Sequence, residues 1–281
     1  MPNDKCLLCK IGKPYYIQSH LTPAGITENT YGERNKELIY TIDSKEKVID
    51  KYFGRDYCQT ETTEIKNAPN SRKGIFCRDC EIKLGNYEFE VQDKLNALIN
   101  SLGRGGYKIN RTQAGIKYLS IDVHSNILIV FFQSIIWRQC IEQILDNNDN
   151  PLNDESFELL RLIVLENISI PTKEIIKIDL SSNPKILLFT TYNTNSTKIS
   201  SFVNPSPIDS NPLLFFVGSI NLLYWTDKNI TEKFTEKTKI HTNLLSDELS
   251  LDKGRIAVVS TNDWSKINYE LAKNVAHRFM L

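Results

Sequence analysis

Two Cys-x-x-Cys pairs set the strongest limit on how this chain folds: Cys6 and Cys9 near the start, then Cys77 and Cys80 after an interval of 67 residues. Each pair has the spacing of a knuckle, in which two thiolates on one tight turn take two corners of a tetrahedral site. The four together suit one structural zinc ion, Zn²⁺. The opening run MPNDKCLLCK lacks the apolar core of a secretory signal, which points to a reducing, cytoplasmic setting where paired cysteines bind metal rather than each other. The longest apolar run, Ile127 to Trp137, falls short of the roughly 20 residues that a bilayer crossing needs, so no membrane contact is expected. Cys58 and Cys140 stand apart and read as ordinary thiols. An interval of 67 residues is long for a simple zinc ribbon, so further structure is expected between the knuckles.

With 281 residues, 41% hydrophobic and 24% charged, the chain has the composition of a soluble globular protein and the length for one large domain or two modest ones. Two are favoured, 1–103 and 104–281, with Gly103, Gly105 and Gly106 marking the joint. Lys plus Arg and Asp plus Glu stand at 34 each, so the chain as a whole does not attract a nucleic-acid backbone and any such contact must be local. One segment qualifies. Between Lys94 and Lys117 lie Arg104, Lys108 and Arg111, and residues 103–120 hold no acid. This strip reads either as a solvated linker or as a run of phosphate contacts.

Residues 1–76 are polar and irregular, with short strand-like pieces such as Glu37 to Ile42. From Cys77 the apolar residues fall at helical spacing and stop at Gly103, a good C-terminal cap. Ile127 to Leu145 is apolar on nearly every side and predicts a buried helix, with Arg138 and Gln139 among its few polar members. The run DESFELLRLIVLENI predicts another helix, with Asn153 or Asp154 as its N-cap and Pro171 beyond its end. From Glu174 the pattern moves to period two in EIIKIDL, KILLFTTY, LLFFVGSINLLYW and GRIAVVS, which predicts an antiparallel sheet. Trp264, Ile267, Leu271, Val275 and Phe279 return to helical spacing and predict a closing helix packed on that sheet. The class is α+β.

His20 ends the run Tyr15 to His20, and Pro23 follows it closely. A first knuckle, a Ser-His-x-x-Pro strand (Ser19, His20, Pro23), a Cys-x-x-Cys-Glu helix start (Cys77, Cys80, Glu81) with a further acid at Glu88, and a downstream Ser-x-x-Trp-Arg stretch (Ser134, Trp137, Arg138) occur in that order. This arrangement resembles the zinc-stapled branch of the HNH, or ββα-metal, nucleases, and among them a group of bacterial HNH-like proteins. The resemblance runs from Cys6 to about Arg138, and the strand-rich remainder adds nothing to it.

The resemblance implies a zinc-stapled ββα-metal N-terminal domain, 1–103, followed by a helical segment and an antiparallel-sheet domain, 104–281, that binds a partner, senses a trigger or assembles. It implies metal-dependent hydrolysis of a nucleic-acid phosphodiester, DNA before RNA, and a role in bacterial defence. His20 occupies the position of the general base. Glu81 takes the helix position where many HNH nucleases place a His or Asn ligand, and Glu88 is a further ligand candidate for Mg²⁺ or Mn²⁺. The middle Asn of the motif falls on Asn70, with Asn67 behind it. Ser19 stands where the family usually has an acid or a histidine. Glu81 and Glu88 lie about 10 Å apart along a straight helix, too far to share one ion unless Gly85 and Asn86 break it.

Other readings of the same residues stand beside this one. Glu81 suits the positive end of a helix dipole without any metal, Glu88 suits a solvated helix face, and Trp137 and Arg138 suit core packing with a buried ion pair to the acidic segment that follows. A catalytically inactive, zinc-stabilised subunit that binds nucleic acid or protein is the alternative function, with the apolar run Leu213 to Trp225 as an assembly surface if exposed. The chain has no glycine-rich phosphate loop and no Gly-x-Ser-x-Gly elbow, so nucleotide hydrolysis and acyl transfer lack their machinery.

Overall fold

The computed structural model describes residues 4–15, 18–23, 38–43, 48–53, 58–59, 65–66, 71–103, 106–111, 117–147, 150–180, 185–192, 205–206, 213–217, 220–225 and 253–260. The fold is mixed helix and sheet. Strand β1 (Gln18–His20) pairs antiparallel with β6 (Ser71–Lys73), which leads through the second knuckle into helix α1 (Arg78–Gly103). Between β1 and β6 a meander of β2 (Leu38–Asp43), β3 (Val48–Phe53), β4 (Cys58–Gln59) and β5 (Ile65–Lys66) forms a separate four-stranded antiparallel sheet. That meander is the structure built into the long interval between the cysteine pairs.

Helix α1 starts with Asp79 and Glu81 in its first turn, where carboxylates favourably meet the positive end of the helix dipole. Cys80, Leu84, Tyr87, Val91 and Leu95 recur every three or four residues and form its buried stripe. Helix α2 (Ser125–Asn147) crosses that stripe and is buried on all sides from Ile127 to Ile141. Ser125–Leu145 has the length and hydropathy to cross a bilayer, more than the shorter run read from sequence, but 83% of its most apolar window is buried inside the protein. Helix α3 (Asp154–Ile168) is capped by Asn153, whose Oδ1 accepts the Ser156 N–H at 2.8 Å. At its other end the Tyr87 hydroxyl of α1 lies 3.0 and 2.9 Å from the carbonyls of Asn167 and Ile170, meeting acceptors that a helix C-terminus leaves open. A short α4 (Thr172–Ile175) follows Pro171.

The remaining strands are β7 (Asn110–Arg111), β8 (Lys117–Ile121), β9 (Lys185–Tyr192), β10 (Pro205–Ser206), β11 (Leu213–Val217), β12 (Ile220–Trp225) and β13 (Gly254–Ser260). They form one seven-stranded sheet in the order β10-β11-β12-β9-β13-β8-β7. Every pair in it is antiparallel except β13 with β9, so the expected antiparallel sheet carries one parallel junction. β12 and β13 flank β9 and run in opposite directions, so the parallel pair arises without a crossover between consecutive parallel strands. Helix α2 packs closely on this sheet: a Cβ on Gly254 would stand 1.9 Å from Leu128 Cδ1 and 3.0 Å from Ile121 Cγ2, so a larger residue there requires the Leu128 side chain to move.

Buried residues on both sides of Gly103 belong to one apolar cluster that runs from Cys6 and Leu8 through α1, α2 and α3 to Leu222 and Ile256. The glycine-marked joint thus divides two stretches of sequence that share a core. The expected helix over 263–279 lies outside the described residues.

Candidate functional site

The first knuckle is a tight turn. The Cys6 N–H donates to the Gly12 carbonyl at 2.7 Å, and the Lys10 N–H returns to the Cys6 carbonyl at 2.9 Å. Lys10 takes a positive φ of 58°, a conformation that costs an L-residue about 1 kcal/mol or more. The Gly12 N–H points at Cys9 Sγ, 3.4 Å away, and a Cβ at Gly12 would lie 2.8 Å from Cys77 Cβ and 2.9 Å from Cys77 Sγ. Any larger residue at this position would push the two knuckles apart. Backbone bonds from Leu7 N to Ile75 O, 2.9 Å, and from Tyr15 N to Phe76 O, 2.7 Å, tie the first knuckle to the second.

The four cysteine sulfurs lie within 4.8 Å of one another and form a group that can hold a metal ion. Cys9 and Cys77 Sγ are 3.8 Å apart. A tetrahedral ion with metal–sulfur bonds of about 2.3 Å sets its sulfurs about 3.8 Å apart, so the arrangement fits such an ion. The Cys80 thiol, hydrogen-bonded to Cys6, pulls the Cys6 thiol down to about 4, with further help from backbone N–H groups. That same hydrogen bond and burial push Cys80 up, and burial pushes Cys77 up. Four crowded thiolates repel one another; a divalent cation among them removes that penalty. Cys140, deep in α2, is an inert thiol pushed up by burial, as expected for it.

Helix α3 grips the first knuckle from outside. Arg161, buried on the core-facing side of α3, donates from Nη1 to the Leu8 carbonyl. Its Nε and Nη2 form a two-pronged pair with Glu158 at 2.8 and 2.6 Å, and Lys10 Nζ reaches the same carboxylate at 2.9 Å. Arg161 above all, with Lys10, holds the Glu158 carboxyl down at about 2. Sequence reading passed over this contact. Its signal is a lone arginine inside Leu159 to Leu165, a run that otherwise reads as core.

A second cluster forms where β1 ends against α1 and α2. The buried Ser19 hydroxyl donates to Glu81 Oε1. Burial raises the Glu81 pKa, opposed by that hydrogen bond and by the charge of Arg138, while Glu88 pushes it the same way as burial. Arg138, 2% exposed, joins three elements: Nη1 donates to the His20 carbonyl at 3.0 Å and to Glu88 Oε1 at 2.6 Å, and Nη2 donates to Ser134 Oγ at 3.2 Å. Gln139 Nε2 adds a bond to Thr22 Oγ1, one residue before Pro23. Trp137 packs against Phe76 of the second knuckle and stacks on Phe157 of α3, which is the core role expected for it.

Three expectations change here. Gly85 and Asn86 do not break α1, which is continuous, so Glu81 and Glu88 remain two turns apart. Glu88 is not a solvated acid, because its carboxylate answers Arg138. Arg138 in turn finds its carboxylate partner in Glu88 of α1, where the expectation named the acidic segment after α2. Asn70, Asn67 and Arg104 lie outside the described residues. Of the remaining basic strip, Lys94 is exposed on α1, Lys108 precedes β7, and Arg111 and Lys117 are cross-strand partners at the edge of the large sheet, far in sequence from the cysteines.

The structure therefore brings together the strand end of Ser19 and His20 with Glu81, Glu88, Ser134 and Arg138, beside a four-cysteine group that can hold a metal ion. No family model, curated protein or solved structure matches the chain.

Proposed function

We propose that the chain is a metal-dependent endonuclease of the HNH type that hydrolyses nucleic-acid phosphodiesters, DNA in the first instance, and that Zn²⁺ at Cys6, Cys9, Cys77 and Cys80 is its structural staple. The observation that carries the reading is the meeting of the Ser19–His20 strand end with Glu81 at the start of α1. The order strand, antiparallel strand, helix supports it, as does an all-sulfur donor set that suits zinc. His20 is half-buried at the strand end, where an imidazole nitrogen can take a proton from water. The hard oxygens of Glu81 and Ser19 suit Mg²⁺ or Mn²⁺, with Asn70 as a further site residue. When bound, such an ion stabilises charge on the phosphoryl and leaving oxygens. Arg138 anchors the backbone carbonyl of His20 and so holds the strand end that carries the imidazole.

A second reading has one specific observation in its favour. Glu88 is engaged by Arg138 and Glu81 by Ser19, which are the contacts of a packed core as much as of an ion site. In that reading the protein is a zinc-stabilised subunit that binds nucleic acid or another protein without cutting.

Cleavage of plasmid DNA and of structured RNA with Mg²⁺ or Mn²⁺, comparing wild type with His20→Ala and Glu81→Ala and following zinc content alongside, separates the two. Loss of a general base costs about 100-fold or more in rate. Metal-dependent cutting that falls by that amount in His20→Ala, with zinc retained, is the expected result. Binding without any cutting by the wild type selects the second reading.

A further inference from the structure

Helix α1 carries one stripe that packs on the core and another that nothing in the chain covers. On the outer side Ile82, Gly85, Asn86 and Phe89 are all exposed, Ile82 by 54% and Phe89 by 79%. Their spacing of i, i+3, i+4 and i+7 outlines the four-residue hole that receives a knob when two helices pack together. Gly85 makes that hole deep. A Cβ there would meet nothing within 4 Å, so the Phe89 ring does not fold back over it and no neighbour in the chain excludes a side chain. In a helix interior glycine is about fivefold less favourable than alanine, and no contact within the chain accounts for that loss.

The knob that fits this hole stands on the same stripe. Phe89 lies one turn beyond the centre of the hole, so two copies of α1 laid antiparallel, with a twofold axis level with Tyr87, put each Phe89 into the hole of the other. The same operation brings the two ends of the face together. Arg78 of one copy then comes level with Asn96 of the other, about 5 Å along the axis from Asp93, which a guanidinium can reach. Arg78 and Asp93 are both exposed, and neither makes an ion pair among the described residues. Shape and charge thus both select a second copy of this chain as the occupant.

We propose that the outer face of α1 is a self-association surface, through which two copies pair antiparallel with Phe89 of each seated among Ile82, Gly85, Asn86 and Phe89 of the other. Glu81 lies one turn before Gly85, so the pairing sets two Glu81 clusters about 20 Å apart along the helices and in opposite orientation. A twofold pair of sites matches the twofold symmetry of two antiparallel nucleic-acid strands. The pairing itself is argued from α1 alone and does not need cleavage.

The test is sedimentation equilibrium of the full-length, zinc-loaded protein in reducing buffer. One helix pair buries less than a standard interface, so a dimer with Kd of about 1 to 100 μM is expected. Gly85→Gln fills the hole with a good helix former, and is expected to raise the melting temperature of the monomer while weakening the dimer about tenfold or more. Phe89→Ser removes the knob and is expected to weaken the dimer by a similar factor with zinc content unchanged. Asp93→Arg sets like charges against each other and is expected to weaken the dimer, and adding Arg78→Asp to restore it. A wild type that stays monomeric throughout that range overturns the proposal, and a fall in its DNA affinity in Phe89→Ser then gives the face to nucleic acid. A dimer that both Phe89→Ser and Gly85→Gln leave unchanged also overturns it, placing the contact elsewhere on the surface. A dimer that forms through this face but never cuts leaves the proposal standing and removes the nuclease reading. A strict monomer that cuts does the reverse.

Discussion

The two clusters at the start of α1 are built by opposite means. The four-cysteine centre comes from short-range geometry: two residues between ligands in each pair, a left-handed Lys10, and a Gly12 that leaves room for Cys77. The His20 cluster comes from long-range packing. Ser19 meets Glu81 across 62 residues, and Arg138 meets Glu88 across 50 and the His20 carbonyl across 118. One centre rests on a pair of turns and on the ion its four cysteines can hold, the other on how α2 is seated in the core. The two therefore should fail differently when each is disturbed.

The largest effect separates them by removing the metal. Cys77→Ser, or extraction of the ion by a chelator, is expected to unfold both knuckles, because the binding energy of a structural zinc site is folding energy, about 10 kcal/mol or more. Zinc content and near-ultraviolet dichroism check it. The His20 cluster should go too, because β6 reaches Cys77 through only three residues. A cluster that keeps its Trp137 environment without metal would show that α2, not the knuckles, is its foundation. The converse experiment is Arg138→Met. It strips Glu88 of its partner inside the core and should cost about 3 kcal/mol, the low side for a broken buried pair because Glu88 keeps 22% exposure. Zinc content should stay unchanged. Adding Glu88→Gln should return part of that loss, and a coupling of about 1 kcal/mol or more in the double-mutant cycle measures the link.

This contrast also explains what the sequence makes legible. Cys6, Cys9, Cys77 and Cys80 declare themselves because ligand spacing on a turn is a local property, and α1, α2 and α3 declare themselves through apolar periodicity and the Asn153 cap. The partner of Arg138 is not local. Glu88 and the acidic residues after α2 are equally plausible on composition, and only the crossing of α1 and α2 selects Glu88. Arg161 escaped for the same reason, since its acceptor is a backbone carbonyl at Leu8, which no side-chain pattern encodes. The parallel junction between β9 and β13 is likewise a matter of topology, because period-two alternation is the same in either direction.

A smaller effect probes how tightly the knuckles close. Gly12→Ala places a methyl 2.8 Å from Cys77 Cβ, against backbone-anchored atoms that cannot rotate aside. An overpacking cost of about 2 kcal/mol is expected, together with faster zinc release to a chromogenic chelator. Because Gly12 touches nothing in the His20 cluster, the interaction of Arg138 with Glu88 should survive at that cost, and a variant that disturbs both would mean the two centres form one unit.

The smallest effect tests the outer grip of α3 on the knuckle through pH. Glu158 has its carboxyl lowered from the ordinary 4.5 to about 2, first by Arg161 and then by Lys10. A carboxyl that is more acidic in the folded state stabilises fully above the unfolded value, and that contribution fades as pH falls from about 4.5 through about 2. Glu158 is 40% exposed, so solvent screening should hold the contribution below about 1 kcal/mol despite the size of the shift. The urea midpoints of wild type and Glu158→Gln should differ at pH 6 and converge toward pH 2. Because protonation also threatens the thiolate centre in acid, the informative quantity is the difference between the two proteins at each pH. A difference that persists unchanged to pH 2 would assign the loss in Glu158→Gln to packing of the side chain, and would leave the grip on Leu8 to Arg161 alone.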